Sequence, residues 1–183
     1  MLVLLDRDGV INRDAKPGIL SVEQFQFLPG AIDAIAALTR AGFTIAICTN
    51  QSAVGRHIIS QKTLDDIHAH MLAAIRAGGG NIERIYVATD TPEAPTARRK
   101  PGPGMLEEAL HDFKAHAHLT PMVGDMLRDM EAAHAAGCPR ILVRTGKGIH
   151  TYERGIPPHL EPVTHVADLA AAAEHICAHY TGA

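Results

Sequence analysis

The chain has 183 residues, enough for one domain at about 150 residues each. Apolar residues make up 46% and charged residues 20%, which excludes a disordered or collagen-like chain; with no Trp and only 4% aromatics, the core must be aliphatic. Seventeen Lys and Arg against twenty Asp and Glu give a net charge of −3, which speaks against wholesale nucleic-acid binding but leaves room for a small anion held by a local cluster of cations.

Leu2-Val3-Leu4-Leu5 predicts a buried strand that stops at Asp6, too early for a signal peptide. A polar loop runs to residue 28. Pro29 then opens a helix over Ala31 to Leu38, and Gly42 closes it. Residues 43–48 form the second strand. Ser60 caps a helix that runs to Ala77 and is stopped by Gly78-Gly79-Gly80. A strand at 84–88, a Pro-rich loop at 91–103 and a helix from 104 follow. A strand at 121–123, a helix ending at Gly137, a strand at 140–143, a loop and an Ala-rich helix near 168–179 complete the chain. His68 and His70 fall on an ordinary amphipathic helix, and the twelve His residues suggest no dedicated metal site. Cys48, Cys138 and Cys177 form no CxxC pair, which favours a reducing cytoplasm. No stretch approaches the roughly 18 apolar residues of a membrane span.

Strands alternating with helices at this spacing predict an α/β fold, a parallel sheet with helices on both faces, in a single domain over 1–183. Ligands of such sheets bind beyond the carboxyl ends of the strands. Asp6-Arg7-Asp8-Gly9 follows the first strand, and Thr49-Asn50-Gln51-Ser52 the second. Arg98-Arg99-Lys100 stands in the third loop, and Gly124-Asp125 with Asp129 follows the fourth strand. Each cluster alone has a bland explanation as turn, cap or solvated charge; together they describe phosphoryl chemistry. A carboxylate can attack phosphorus, splitting one hard step into two. Carboxylates this close need a cation between them, and Mg²⁺ prefers hard oxygen ligands. A Lys and a Thr hydroxyl then neutralise and hold the phosphoryl oxygens.

These four clusters resemble motifs I to IV of the haloacid dehalogenase (HAD) superfamily, whose domain is Rossmann-like. Leu5-Asp6-Arg7-Asp8-Gly9-Val10-Ile11-Asn12, Thr49 to Ser52, Arg99-Lys100-Pro101, Met122 to Asp125 and Thr145-Gly146-Lys147-Gly148 are similar to the heptose 1,7-bisphosphate 7-phosphatases and the related histidinol-phosphate phosphatases. The resemblance implies Asp6 as nucleophile and Mg²⁺ ligand. It implies Asp8 as the acid and base whose backbone carbonyl also meets the metal, and Asp125 as a direct metal ligand. Thr49 and Lys100 would stabilise the phosphoryl group. Arg99, Asn50, Gln51 and Ser52 would contact substrate, and Asp129 would orient the site. The implied activity is hydrolysis of the 7-phosphate of D-glycero-β-D-manno-heptose 1,7-bisphosphate, on the way to ADP-heptose for lipopolysaccharide core. The partner would be a small sugar phosphate, with no nucleic acid, no membrane and a monomer favoured.

One departure stands out. The family commonly carries a zinc loop, but its four ligand positions are here Ala88, Asp90, Thr96 and Arg98, so no zinc is expected; four nearby prolines restrict the loop instead. Histidinol phosphate is the alternative substrate. A receiver-type signalling module is the alternative of a different class, though its acceptor Asp would follow a later strand. Only 40 residues separate Asp8 from Thr49 and 50 separate Thr49 from Lys100, so no separate cap domain is expected.

Overall fold

Leu2 to Leu5 are each at most 3% exposed, so the first strand is covered on both faces, as an uninterrupted apolar run requires. In the computed structural model, which describes residues 1–180, this strand is β1 (Leu2–Leu5). It is followed by α1 (Ala31–Arg40), β2 (Thr44–Asn50), α2 (Ser52–Gly55), α3 (Gln61–Ala77), β3 (Arg84–Ala88) and α4 (Gly104–Asp112). Then come β4 (Met122–Gly124), α5 (Leu127–Ala135), β5 (Arg140–Val143), α6 (Gly148–Arg154), β6 (Val163–Val166) and α7 (Leu169–Tyr180).

The six strands form one parallel sheet in the order β3-β2-β1-β4-β5-β6. Alternate residues feed opposite faces. Val3, Leu5, Ile45, Ile47, Val123 and Ile141 pack against Leu38 of α1, Ile67, Met71 and Ile75 of α3, and Ile176 of α7. Leu2, Leu4, Ala46, Cys48 and Met122 pack on the other side against Met105 and Leu106 of α4 and Ala132 and Ala133 of α5. The strand order reverses between β1 and β4, the crevice where sheets of this class bind ligands.

Ser60 caps α3 as expected, its hydroxyl accepting from the Thr63 N–H at 3.0 Å. Three elements lie where the sequence suggests only loop. α2 is a four-residue turn of helix. α6, Gly-Ile-His-Thr-Tyr-Glu-Arg, is short and polar, and buries only Gly148. β6 is a four-residue edge strand whose ladder runs along β5 alone, so it lacks the apolar run of a central strand. The intervals after Asp8 and after Thr49 hold a 3-10 turn with α1 and β2, and α2 with α3 and β3; neither carries a separate cap. No described helix is long and apolar enough to cross a membrane.

Candidate active site

Asp6 is the first residue beyond β1 and is 2% exposed. Its Oδ1 accepts from the Arg7 backbone N–H at 2.8 Å and lies 3.0 Å from Lys100 Nζ. Burial raises the Asp6 carboxyl, Lys100 offsets part of that rise, and the result is a pKa of about 6. Lys100 is itself buried, and its Nζ lies 2.6 Å from Asp129 Oδ1. Burial would discharge the ammonium, but Asp129 and Asp6 more than compensate and hold its pKa above the usual lysine value.

Asn50, the last residue of β2, fixes the Lys100 backbone from both sides. Its Nδ2 donates to the Lys100 carbonyl at 2.9 Å, and its Oδ1 accepts from the Lys100 N–H at 3.1 Å. One residue earlier, the buried Thr49 hydroxyl accepts from Gln51 Nε2 at 2.9 Å; the same Nε2 donates to Asp8 Oδ2 at 2.7 Å. Gln51 therefore ties the second strand end to the first.

Asp8 receives more donors than any other carboxylate of the cleft. Arg7 Nη2 meets both its oxygens at 2.9 and 3.0 Å, and Asn12 Nδ2 donates to Oδ1 at 2.8 Å. Burial pushes the Asp8 carboxyl up, but the Arg7 charge and these hydrogen bonds win and hold it below the usual range. Arg7 is fully buried, with Nη1 3.1 Å from His68 Nε2 on α3. Arg carries only donors, so His68 must accept there as the neutral ring. Burial and the Arg7 charge agree, lowering the His68 pKa to about 4.

Asp6, Asp125 and Asp129 each offer a carboxylate oxygen within 4.8 Å of the others, all buried. Both oxygens of Asp129 are engaged, Oδ1 by Lys100 and Oδ2 by the Met126 N–H at 3.0 Å. Asp125 Oδ2 accepts from the Lys147 N–H at 2.7 Å, whereas its Oδ1 is buried with no hydrogen-bond partner. An orphaned carboxylate oxygen beside two further carboxylates is costly unless a cation meets it, and these are hard oxygen donors of the kind Mg²⁺ takes. Burial first, then Asp129 and Asp6, push the Asp125 carboxyl up to about 8. Two glycines at positive φ close over it. A Cβ on Gly9 (φ +85) would lie 2.0 Å from Asp125 Oδ2, and one on Gly146 (φ +57) 2.3 Å from the same atom. The Thr145 hydroxyl donates to the Gly9 carbonyl at 2.7 Å and fastens the two segments.

Of these residues Asp8, Asn50, Gln51, Asp125 and Lys147 line a cleft of about 140 Å³ that also presents Ser52, Arg99, Arg128 and Lys16. Arg99 Nη1 donates to the Asp90 carbonyl at 2.8 Å; burial and the neighbouring Arg128 lower its pKa. In the loop before it, Asp90 Oδ2 accepts from both the N–H and the hydroxyl of Thr96, while Arg98 pairs with Glu108 and donates to the Val87 carbonyl. Hydrogen bonds thus tie together Asp90 and Thr96, two of the four positions where a zinc loop would have ligands.

All the sequence-predicted residues converge on this rim. Sequence reasoning missed Arg7, Asn12 and Arg128, although each sits inside a motif it quoted. It also missed His68, whose helical surroundings gave no signal, and the part Lys147 plays through its backbone N–H.

Residues 5–132 match the family model described as polynucleotide kinase 3 phosphatase, and residues 97–172 the one described as HAD-hydrolase-like. A D-glycero-β-D-manno-heptose-1,7-bisphosphate 7-phosphatase of Neisseria meningitidis is 41% identical over 163 residues, 87% of each chain. The chain belongs to the HAD-like phosphatases. A Pseudomonas putida phosphatase of the same name is 39% identical over 175 residues, 96% of this chain and 98% of that one. The crystal structure of the B. bronchiseptica D,D-heptose 1,7-bisphosphate phosphatase, complexed with magnesium and phosphate, superposes with a TM-score of 0.91 at 39% identity, covering 96% and 97% of the two chains. The Rossmann-like sheet of this HAD-like phosphatase is therefore that of its relatives.

Proposed function

We propose that this HAD-like phosphatase removes the 7-phosphate of D-glycero-β-D-manno-heptose 1,7-bisphosphate through an aspartyl-phosphate on Asp6, a step toward ADP-heptose and lipopolysaccharide core. The observation that carries the proposal is the buried Asp6–Lys100–Asp129 relay beside the orphaned oxygen of Asp125. A carboxylate nucleophile held against an ammonium, next to a vacant hard-oxygen donor, matches the needs of phosphoryl transfer.

Asp6, Asp125 and the Asp8 backbone carbonyl would hold Mg²⁺, which supplies the positive charge that lets a carboxylate approach a phosphate dianion. A carboxylate oxygen of Asp6 attacks phosphorus, and the bond from phosphorus to the sugar oxygen breaks. Asp8 gives its proton to that departing oxygen. Lys100 and the Thr49 hydroxyl take up the charge on the transferring oxygens. Asp8 then takes a proton from the water that attacks the phosphoryl group on Asp6, releasing phosphate and restoring the carboxylate. The donors from Arg7, Asn12 and Gln51 favour the ionised Asp8 that the second step requires, so the proton Asp8 passes to the departing oxygen in the first step enters with the substrate as the phosphate monoanion. Asn50 serves by holding Lys100, while Gln51, Ser52 and Arg99 wall the space for the sugar.

Phosphate release by the purified protein with Mg²⁺ tests the proposal. The heptose bisphosphate should exceed histidinol phosphate in kcat/KM by at least about 100-fold, well within the roughly 10,000-fold that a site built to hydrogen-bond its substrate can supply. Preference for histidinol phosphate, or release from neither substrate, overturns it.

A further inference from the structure

The buried face of α3 is apolar except at one position. Leu64, Ile67, Met71 and Ile75 line it together with His68, which is 8% exposed. A leucine at 68 would suit that face better, since burying an imidazole costs desolvation unless a partner offsets it. The partner is Arg7, whose Nη1 lies 3.1 Å from His68 Nε2 across 61 residues of chain. Arg7 is fully buried, its Cζ 5.9 Å from the centre of the Phe25 ring, so bulk water does not reach its donors. Nη2 and Nε are directed at Asp8, and Nη1 at His68. Among the described residues no other group accepts from this guanidinium.

The character of the acceptor matters. A carboxylate facing Nη1 would compete with Asp8 and draw the guanidinium away from it. A neutral ring satisfies Nη1 and leaves the charge to Asp8. Burial and the Arg7 charge keep the ring neutral, with a pKa of about 4. Asp8 is not itself locked into the core: its side chain is 18% exposed and faces the cleft. Its direction is set by the donors around it. Asn12 meets one of its oxygens and Gln51 the other; Arg7 alone meets both.

We propose that His68 is a positioning residue for the acid–base step: it fixes Arg7 from the core side, so that Arg7 presents Asp8 to the departing oxygen. The proposal rests on the phosphatase reaction given above and adds to it a residue that lines no part of the cleft. Loss of His68 leaves Asp6, Lys100 and Asp125 in place and loosens Asp8. Proton transfer tolerates such looseness badly, because it needs heavy atoms within about 3.2 Å of each other.

Two aryl esters that differ by a single nitro group read that defect. p-Nitrophenol leaves with little help, whereas phenol needs a proton on its oxygen as the bond to phosphorus breaks. His68→Leu should lower kcat/KM at least about 10-fold more on phenyl phosphate than on p-nitrophenyl phosphate. His68→Gln, whose amide oxygen can accept from Arg7 Nη1, should recover most of that difference. If the leucine variant is too unstable to assay, His68→Asn takes its place, because the shorter amide does not reach Nη1. Equal losses on the two esters, no loss on either, or a glutamine variant as selective as the leucine one overturns the role of His68. Wild type that cleaves both aryl esters but not the heptose bisphosphate overturns the proposed substrate instead, and the split between the esters still decides for or against His68.

Discussion

Lys100 Nζ stands between two carboxylates, 2.6 Å from Asp129 and 3.0 Å from Asp6, with all three side chains at most 3% exposed. Asp129 keeps the ammonium charged and fixed, so Lys100 can offer its charge at Asp6 as a phosphoryl group arrives. The relay links β1, the third loop and α5, three segments that meet only because the strand order reverses there.

The nucleophile is the first test. Asp6→Asn should lower kcat by at least about 1,000-fold while the circular dichroism spectrum stays native. Asp8→Asn should still form phosphoenzyme with activated esters, whose leaving groups need little protonation. Robust turnover by Asp6→Asn, with deamidation excluded by mass spectrometry, rules out covalent catalysis at that residue.

Recognition and chemistry separate at two adjacent residues. Arg99→Ala should lose far more kcat/KM on the heptose bisphosphate than on p-nitrophenyl phosphate, because Arg99 lines the cleft without touching Asp6 or Lys100. Lys100→Ala should damage both substrates alike, since both share the phosphoryl group. Equal losses for Arg99→Ala would move that residue into the chemistry.

Metal and pH are linked through the acidic cluster. Folded Asp125 and Asp6 titrate near 8 and 6, both raised from 3.8. Raised carboxyls bind protons that the unfolded chain has already released. Their contribution to stability without metal is therefore full below about pH 4 and is lost as pH rises through 6 and then 8. Mg²⁺ should offset that loss. The rise in Tm on adding Mg²⁺ should be larger at pH 8 than at pH 5, and EDTA should abolish activity. An increment that ignores pH would locate ion binding away from these carboxylates.

Gly9 tests the cradle. A methyl group there would lie 2.0 Å from Asp125 Oδ2 at a φ of +85. Gly9→Ala should lower Tm, with about 1 kcal/mol from backbone strain alone, and weaken Mg²⁺ binding measured by calorimetry. Native metal affinity in that variant would mean Asp125 is free to move aside.

The loop before Lys100 makes a compositional prediction. With Ala88, Asp90, Thr96 and Arg98 at the zinc positions, purified protein should contain no stoichiometric zinc by elemental analysis. Asp90→Ala should raise KM for the bisphosphate several-fold, because it removes the side-chain hydrogen bonds to Thr96 that hold the segment whose backbone carbonyl positions Arg99. One tightly bound zinc per chain would refute this.

Hydrophobic periodicity and the polar clusters at strand ends were sufficient, in one dimension, to establish the alternating α/β order and to bring Asp6, Asp8, Thr49, Lys100 and Asp125 to a common rim. That information is local: an apolar run becomes a buried strand, and whatever follows it stands at the strand's carboxyl end. Partner choice is not local. His68 meets Arg7 across 61 residues, Asn50 clamps Lys100 across 50, and the Lys147 N–H reaches Asp125 across 22. Each of those contacts depends on crossovers folding back over the sheet. α6 and β6 escaped notice because both are short and β6 runs at an edge, yet α6 lines a cavity beside the cleft with His150, Thr151 and Arg154. Chemistry carried by residues beside a strand was thus written in the chain, while the orientation of those residues, and the charge of the space next to them, came from side chains that only packing in three dimensions brings together.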